Sequence, residues 1–162
     1  MLFFFSLTSI SFVKGQLINE NFNYSIGNLN GTDGWAKHNG IADQVQITSG
    51  SLTFSGYSSS GLGNKVTMSS LYTEDLSRSI GTTINSGSIY ASFLVNFSDV
   101  SAKDFEFHFM TSANAHRGRF FSQKSSENLK FGVSIEGVGQ MASDNYNFNT
   151  TYLIIIKITF QD

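Results

Sequence analysis

With 162 residues, no cysteine and no proline, the chain has room for one domain, whose core must hold together by burial without disulfides. Charged residues make up only 14%, against roughly 25% in an average soluble protein, while sixteen Phe raise the aromatic share to 14%. A net charge of −2 gives no broad cationic face for phosphates, so nucleic acid is not an expected partner, and the one basic cluster, His116, Arg117 and Arg119, is too small to change that.

Residues 1–15, MLFFFSLTSISFVKG, form an apolar run ending in small residues, the build of a secretory signal peptide, although no Lys or Arg precedes the run. About twelve apolar residues fall short of the roughly twenty that span a bilayer, so the mature chain is expected to carry no transmembrane span. Secretion or display at a cell surface is the expected location. From residue 16 onward the pattern is one of short β segments between Gly-, Asn- and Asp-rich turns. QLINENF (16–22), VQIT (45–48) and LTFSGY (52–57) come first. SLYTEDLSRSI (70–80) fits a helical turn and a strand equally well. SIYASFLVNF (88–97) places Ile89, Ala91, Phe93, Val95 and Phe97 on one face, and LKFGVSI (129–135) does the same with Leu129, Phe131, Val133 and Ile135. GVGQMA (137–142) matches a dinucleotide-binding turn, but no helical period follows it, so a Gly-rich hairpin is expected there. TYLIIIKITF (151–160) closes with an apolar row, and Leu153 and Ile155 on its second face predict a central strand.

Antiparallel strands with one apolar face and no interleaved helices predict an all-β domain over residues 16–162, a two-sheet antiparallel β-sandwich or jelly roll. The last strand is strongly apolar and nothing follows to cover its edge, which predicts that the domain continues past residue 162.

KDFEFHFM (103–110) carries the sharpest chemical question. Strict alternation puts Asp104, Glu106 and His108 on one face and Phe105, Phe107 and Phe109 on the other. Two carboxylates and an imidazole at that spacing could serve a retaining glycosidase, with Glu106 as acid or nucleophile beside Asp104 or His108. They could equally be the wet side of an amphipathic sheet. The loop NLNGTDGWAKHNG (28–40) holds the only Trp, and Trp35 either stacks on a sugar or plugs one end of the sandwich. Contact residues for a carbohydrate are expected to be Trp35, His38 and Tyr57, with His108 and Arg119. The three histidines show no metal-ligand spacing and no other cofactor is expected, though Asp33, Asn39 and Asp43 offer oxygens of the kind that hold a structural calcium ion.

The ordered set ENFNYSIGNLNGTDGWAKHNG, GSLTFSGYSSSGLGN, SGSIYASFLVNFS, FEFHF, GRFF, LKFGVSI and FNTTYLIIIKI resembles an N-terminal domain of large secreted bacterial surface proteins, which often end in a type IX secretion sorting domain. The resemblance runs from about Leu17 to the last residue. It implies a concanavalin A-like, laminin-G-like jelly roll that binds glycans or mediates adhesion. That family does not keep an acid at the position of Glu106. The function expected is therefore a non-catalytic carbohydrate-binding or adhesion module of a larger extracellular protein. The alternatives are a glycoside hydrolase or lyase on the same fold, and a ligand-free spacer.

Overall fold

The computed structural model describes residues 15–100, 104–111, 115–135 and 139–160, so all but Gly15 of the expected signal peptide lies outside the described residues. Within them the chain is all β, with no helix. The strands are Gly27–Asn28 (β1), Ala36–Asn39 (β2), Gln46–Thr48 (β3), Lys65–Thr67 (β4), Asp75–Ser77 (β5), Ser88–Asn96 (β6), Asp104–Met110 (β7), His116–Ser125 (β8), Asn128–Ser134 (β9), Gln140–Met141 (β10) and Thr151–Thr159 (β11). They pair antiparallel in four sheets, ordered β1-β3-β4, β2-β5, β10-β9-β8-β7 and β11-β6, an arrangement consistent with a β-sandwich.

The main core lies between the β6–β11 pair and the four-stranded sheet. Those two nine-residue strands run in unbroken register from Ser88 opposite Thr159 to Asn96 opposite Thr151. Their alternating apolar residues Phe93, Val95, Tyr152, Ile154 and Ile156 pack with Phe107, Phe109, Phe120, Leu129 and Phe131. Phe93 stands 4.9 Å from Phe107 and 5.7 Å from Phe120, ring centre to ring centre. Burying each such side chain contributes roughly 1.5–3 kcal/mol, which makes this layer the main source of stability. A smaller core gathers Leu29, Val45 and Ile47 with Phe22, Tyr24, Trp35, Val66 and Leu76.

Several expectations need correction. QLINENF makes no strand, because Glu20 is drawn into side-chain bonds with Phe22 N and Tyr24 Oη. LTFSGY is a loop closed on itself, with Gly61 N donating to Leu52 O and Phe54 N to Ser60 Oγ. The ambiguous segment at 70–80 supplies strand β5. Strand β11 is not central among the described residues, since it pairs with β6 alone and Ile155 is 65% exposed. Leu129 and Phe131 are buried, whereas Val133 and Ile135 are exposed. Strand β10 pairs back on β9 as the expected hairpin requires, with Gln140 opposite Val133 and Met141 opposite Gly132, and residues 136–138 lie outside the described residues.

Two irregularities in the β7–β8 pairing decide what faces where. Phe105 is opposite Phe121 and Phe107 opposite Phe120, so Glu106 is an extra residue in β7. His108 is opposite Arg119 and Phe109 opposite Arg117, so Gly118 is an extra residue in β8. Gly118 sits at φ 57°, in the left-handed region, and a Cβ there would overlap Ile158 Cδ1. Only glycine satisfies both demands.

Candidate functional site

The bulge at Glu106 breaks the expected same-face row. Residues directly opposite each other in a ladder share a face, and residues an odd number apart on a regular strand do not. Arg119 and Ser122 lie three apart in the stretch of β8 that pairs regularly with β9, so they point to opposite faces. Ser122 Oγ donates to Glu106 Oε1, whereas His108 is opposite Arg119. Glu106 therefore belongs with the face that packs on β6 and β11, and His108 with the outer face. Asp104 is opposite Ser122 in the ladder. The wet row of an alternating strand does not exist here.

On the outer face the structure assembles something that spacing alone does not reveal. His108 from β7 stacks on His116 from β8, ring centres 4.2 Å apart and planes at 27°. His38 meets His108 edge-on at 6.3 Å, with an interplanar angle of 87°. His38 is itself the residue skipped in the β2–β5 register, where Lys37 is opposite Leu76 and Asn39 opposite Asp75, and such a bulge turns a side chain out of its ribbon. All three histidines of the chain thus meet beside Arg119, half-buried, with His108 and His116 on the consecutive strands β7 and β8 and His38 on the distant β2.

Burial first, then the His116 and His38 imidazoles and the Arg119 guanidinium, push His108 down from 6.5 to about 4, against an opposing pull from Asp75. His108 is neutral at pH 7. A neutral imidazole presents one donor and one acceptor, the pair a sugar hydroxyl requires. Stacked rings aim their lone pairs side by side, and among the described residues no group of three or more His, Asp or Glu is placed to hold a metal ion. Each calcium candidate has a protein partner. Asp33 accepts from Tyr24 Oη and Arg78 Nη2, Asn39 Nδ2 donates to Asp75, and Asp43 Oδ1 accepts from Asn30.

The other expected contact residues lie apart from this cluster. Trp35 is half-buried against the smaller core, with its ring centre 6.1 Å from Phe22 and its Nε1 donating to Glu20 Oε2 at 3.0 Å. Glu20 also accepts from Arg78 at 2.5 Å, and Arg78 in turn reaches Asp33 at 2.7 Å. Tyr24's hydroxyl, followed by the Arg78 guanidinium, holds Asp33 below the usual carboxylate range. This network ties the Trp35 loop to the chain on either side. Tyr57 leans on β6, where its hydroxyl meets the backbone and side-chain oxygens of Ser92, both at 3.1 Å. Of the five expected contact residues, His38, His108 and Arg119 come together, and Trp35 and Tyr57 do not join them.

Two cavities of about 370 and 380 Å³ lie elsewhere, one lined by Leu17, Ile80, Ile84 and Ile89, the other an apolar trough between β9, β10 and β11. Neither touches Glu106, His108 or the cluster. Sequence reasoning also passed over Glu74, whose buried carboxylate accepts from the backbone N–H groups of Asp43, Gln44 and Val45 and so anchors the start of β5 to the start of β3. No helix among the described residues is long and apolar enough to cross a membrane. Comparison with protein-family models, with curated proteins and with solved structures finds no match to this chain.

Proposed function

We propose that the chain is a secreted, non-catalytic binding module on a jelly-roll, concanavalin A-like sandwich, part of a larger extracellular protein, that takes a carbohydrate or a similar polyhydroxyl surface polymer. One observation carries this reading: His38, His108 and His116 meet beside Arg119 on the outer face of β7 and β8, half-exposed and drawn from separate strands. Imidazoles and a guanidinium supply closely spaced donors and acceptors, and imidazole faces supply flat surface for C–H groups. The same register weakens the Glu106–His108 form of the hydrolase alternative, because those two occupy opposite faces and cannot act on one glycosidic bond.

A glycan array probed at neutral pH, coupled to a reducing-sugar assay on every retained polysaccharide, tests the reading. Retention without release of reducing ends is the expected result. Release of reducing ends that is lost in Glu106→Gln would replace the module with an enzyme. No retention of any glycan or surface polymer would leave the spacer reading in its place.

A further inference from the structure

We infer that the imidazole cluster is a proton-controlled latch: with neutral rings it seats the β2–β5 ribbon on the outer face of β7 and β8, and with charged rings it releases that ribbon. The geometry carries the argument. Among the described residues the β2–β5 ribbon shares no ladder with β7 and β8, and His38, turned out of β2 by a bulge, reaches across to His108, which lies flat on His116. Two imidazolium rings with centres 4.2 Å apart repel, whereas two neutral rings at that distance stack. His38 Nδ1 is buried without a hydrogen-bond partner among the described residues. An imidazolium must carry a proton on that nitrogen, and a buried N–H lacking an acceptor is costly, so charging His38 favours any motion that wets it.

Among the described residues, Asp75 is the acid that favours a charged His108. On β2 the Lys37 ammonium donates to Gly40 O. On β5 Asp75 favours a charged His108, but it is exposed and already accepts from Asn39. On β7 the Glu106 carboxylate lies on the other face with Ser122. On β8 Arg119, opposite His108, opposes a second positive charge, and Arg117 Nη1 donates to the backbone oxygen of His116. The depressed pKa of His108 agrees with this balance. A released ribbon stays tethered, because Glu74 at the start of β5 still holds the amides of residues 43–45. The latch stands whether or not the patch takes a glycan.

Backbone hydrogen exchange at about pH 7.5 and about pH 4.5, corrected for intrinsic rates, tests it. Protection of Ala36–Asn39 and Asp75–Ser77 is expected to fall by about tenfold or more at the lower pH, and by more than protection of β6 and β11. His116→Phe keeps a flat ring on His108 but cannot charge, and it should make that fall smaller. If that variant does not fold, His38→Phe serves the same purpose. Unchanged protection of the ribbon at acid pH overturns the latch, as does a loss in β6 and β11 that equals the ribbon's. An imidazole NMR titration of the unaltered chain decides independently of any variant: a His108 that protonates near 6.5 overturns the proposal, and one that stays neutral down to about 4 supports it.

Discussion

Replacing Glu74 tests how the ribbon that carries His38 is anchored. The side chain is 7% exposed, and its carboxylate accepts from Asp43 N at 2.9 Å and from Gln44 N and Val45 N at 2.8 Å. Val45 is itself buried, whereas Asp43 is exposed and Gln44 half-buried, so water can take over two of the three donors. A buried donor left bare costs about 1–3 kcal/mol, and a donor that passes from a carboxylate to water loses about half a kcal/mol or more. Glu74→Ala should therefore lower unfolding stability by about 2–4 kcal/mol, most of it from Val45. Glu74→Gln keeps one acceptor oxygen but turns new N–H groups toward the same donors, and about 1–2 kcal/mol is expected. Urea unfolding measures both, with the midpoint moving and the slope unchanged. A loss below about 0.5 kcal/mol for Glu74→Ala would show that water replaces the carboxylate freely and would refute the anchoring argument.

Acid should weaken the fold through His108. Its folded-state pKa lies below the ordinary value, so the unfolded chain binds more protons, and stability is present above about 6.5 and lost as pH falls toward about 4. At full burial that gap is worth roughly 3 kcal/mol, and because the ring is half-exposed, screening reduces the loss to about 1–2 kcal/mol, readable from melting curves across that window. Gly118→Ala should cost about 2–4 kcal/mol, from the left-handed backbone and the overlap with Ile158, and Ile158→Ala in the same chain should make the further loss smaller than additive. Phe121, with no exposed surface, should cost about 3–5 kcal/mol as Phe121→Ala by chemical unfolding.

The long strands were legible because their apolar residues recur at a period of two. Strands β6, β7, β9 and β11 begin and end within a residue or so of the segments read from the sequence. Strand β8 is the longest of all at ten residues and escaped notice. Its HRGRFFSQKS has no alternation to find, because the adjacent Phe120 and Phe121 are buried on opposite faces and glycine fills the bulge. Polar segments misled in the other direction, since QLINENF and LTFSGY carry strand-like composition but spend their polar groups on local bonds. Nothing within a single strand marks an extra residue, so the bulge at Glu106 that separates it from His108 could not be read from KDFEFHFM. The histidine cluster was hidden for a related reason: His38, His108 and His116 share no spacing, and only the pairing of β7 with β8 and the bulge in β2 bring them together. The Trp35 loop was recognisable as unusual, but the partner that occupies its indole N–H, Glu20, lies fifteen residues away in a segment expected to be a strand.

The claim that ligand contact is made on the outer face of β7 and β8 is tested most directly by NMR. The imidazole resonances of His38, His108 and His116 would be followed while a polysaccharide retained on the array is added at neutral pH. All three should shift together and saturate together, and His38→Ala should abolish retention while Tyr57→Phe leaves it intact. Retention undiminished by His38→Ala, with shifts confined to the Trp35 loop, would contradict the account.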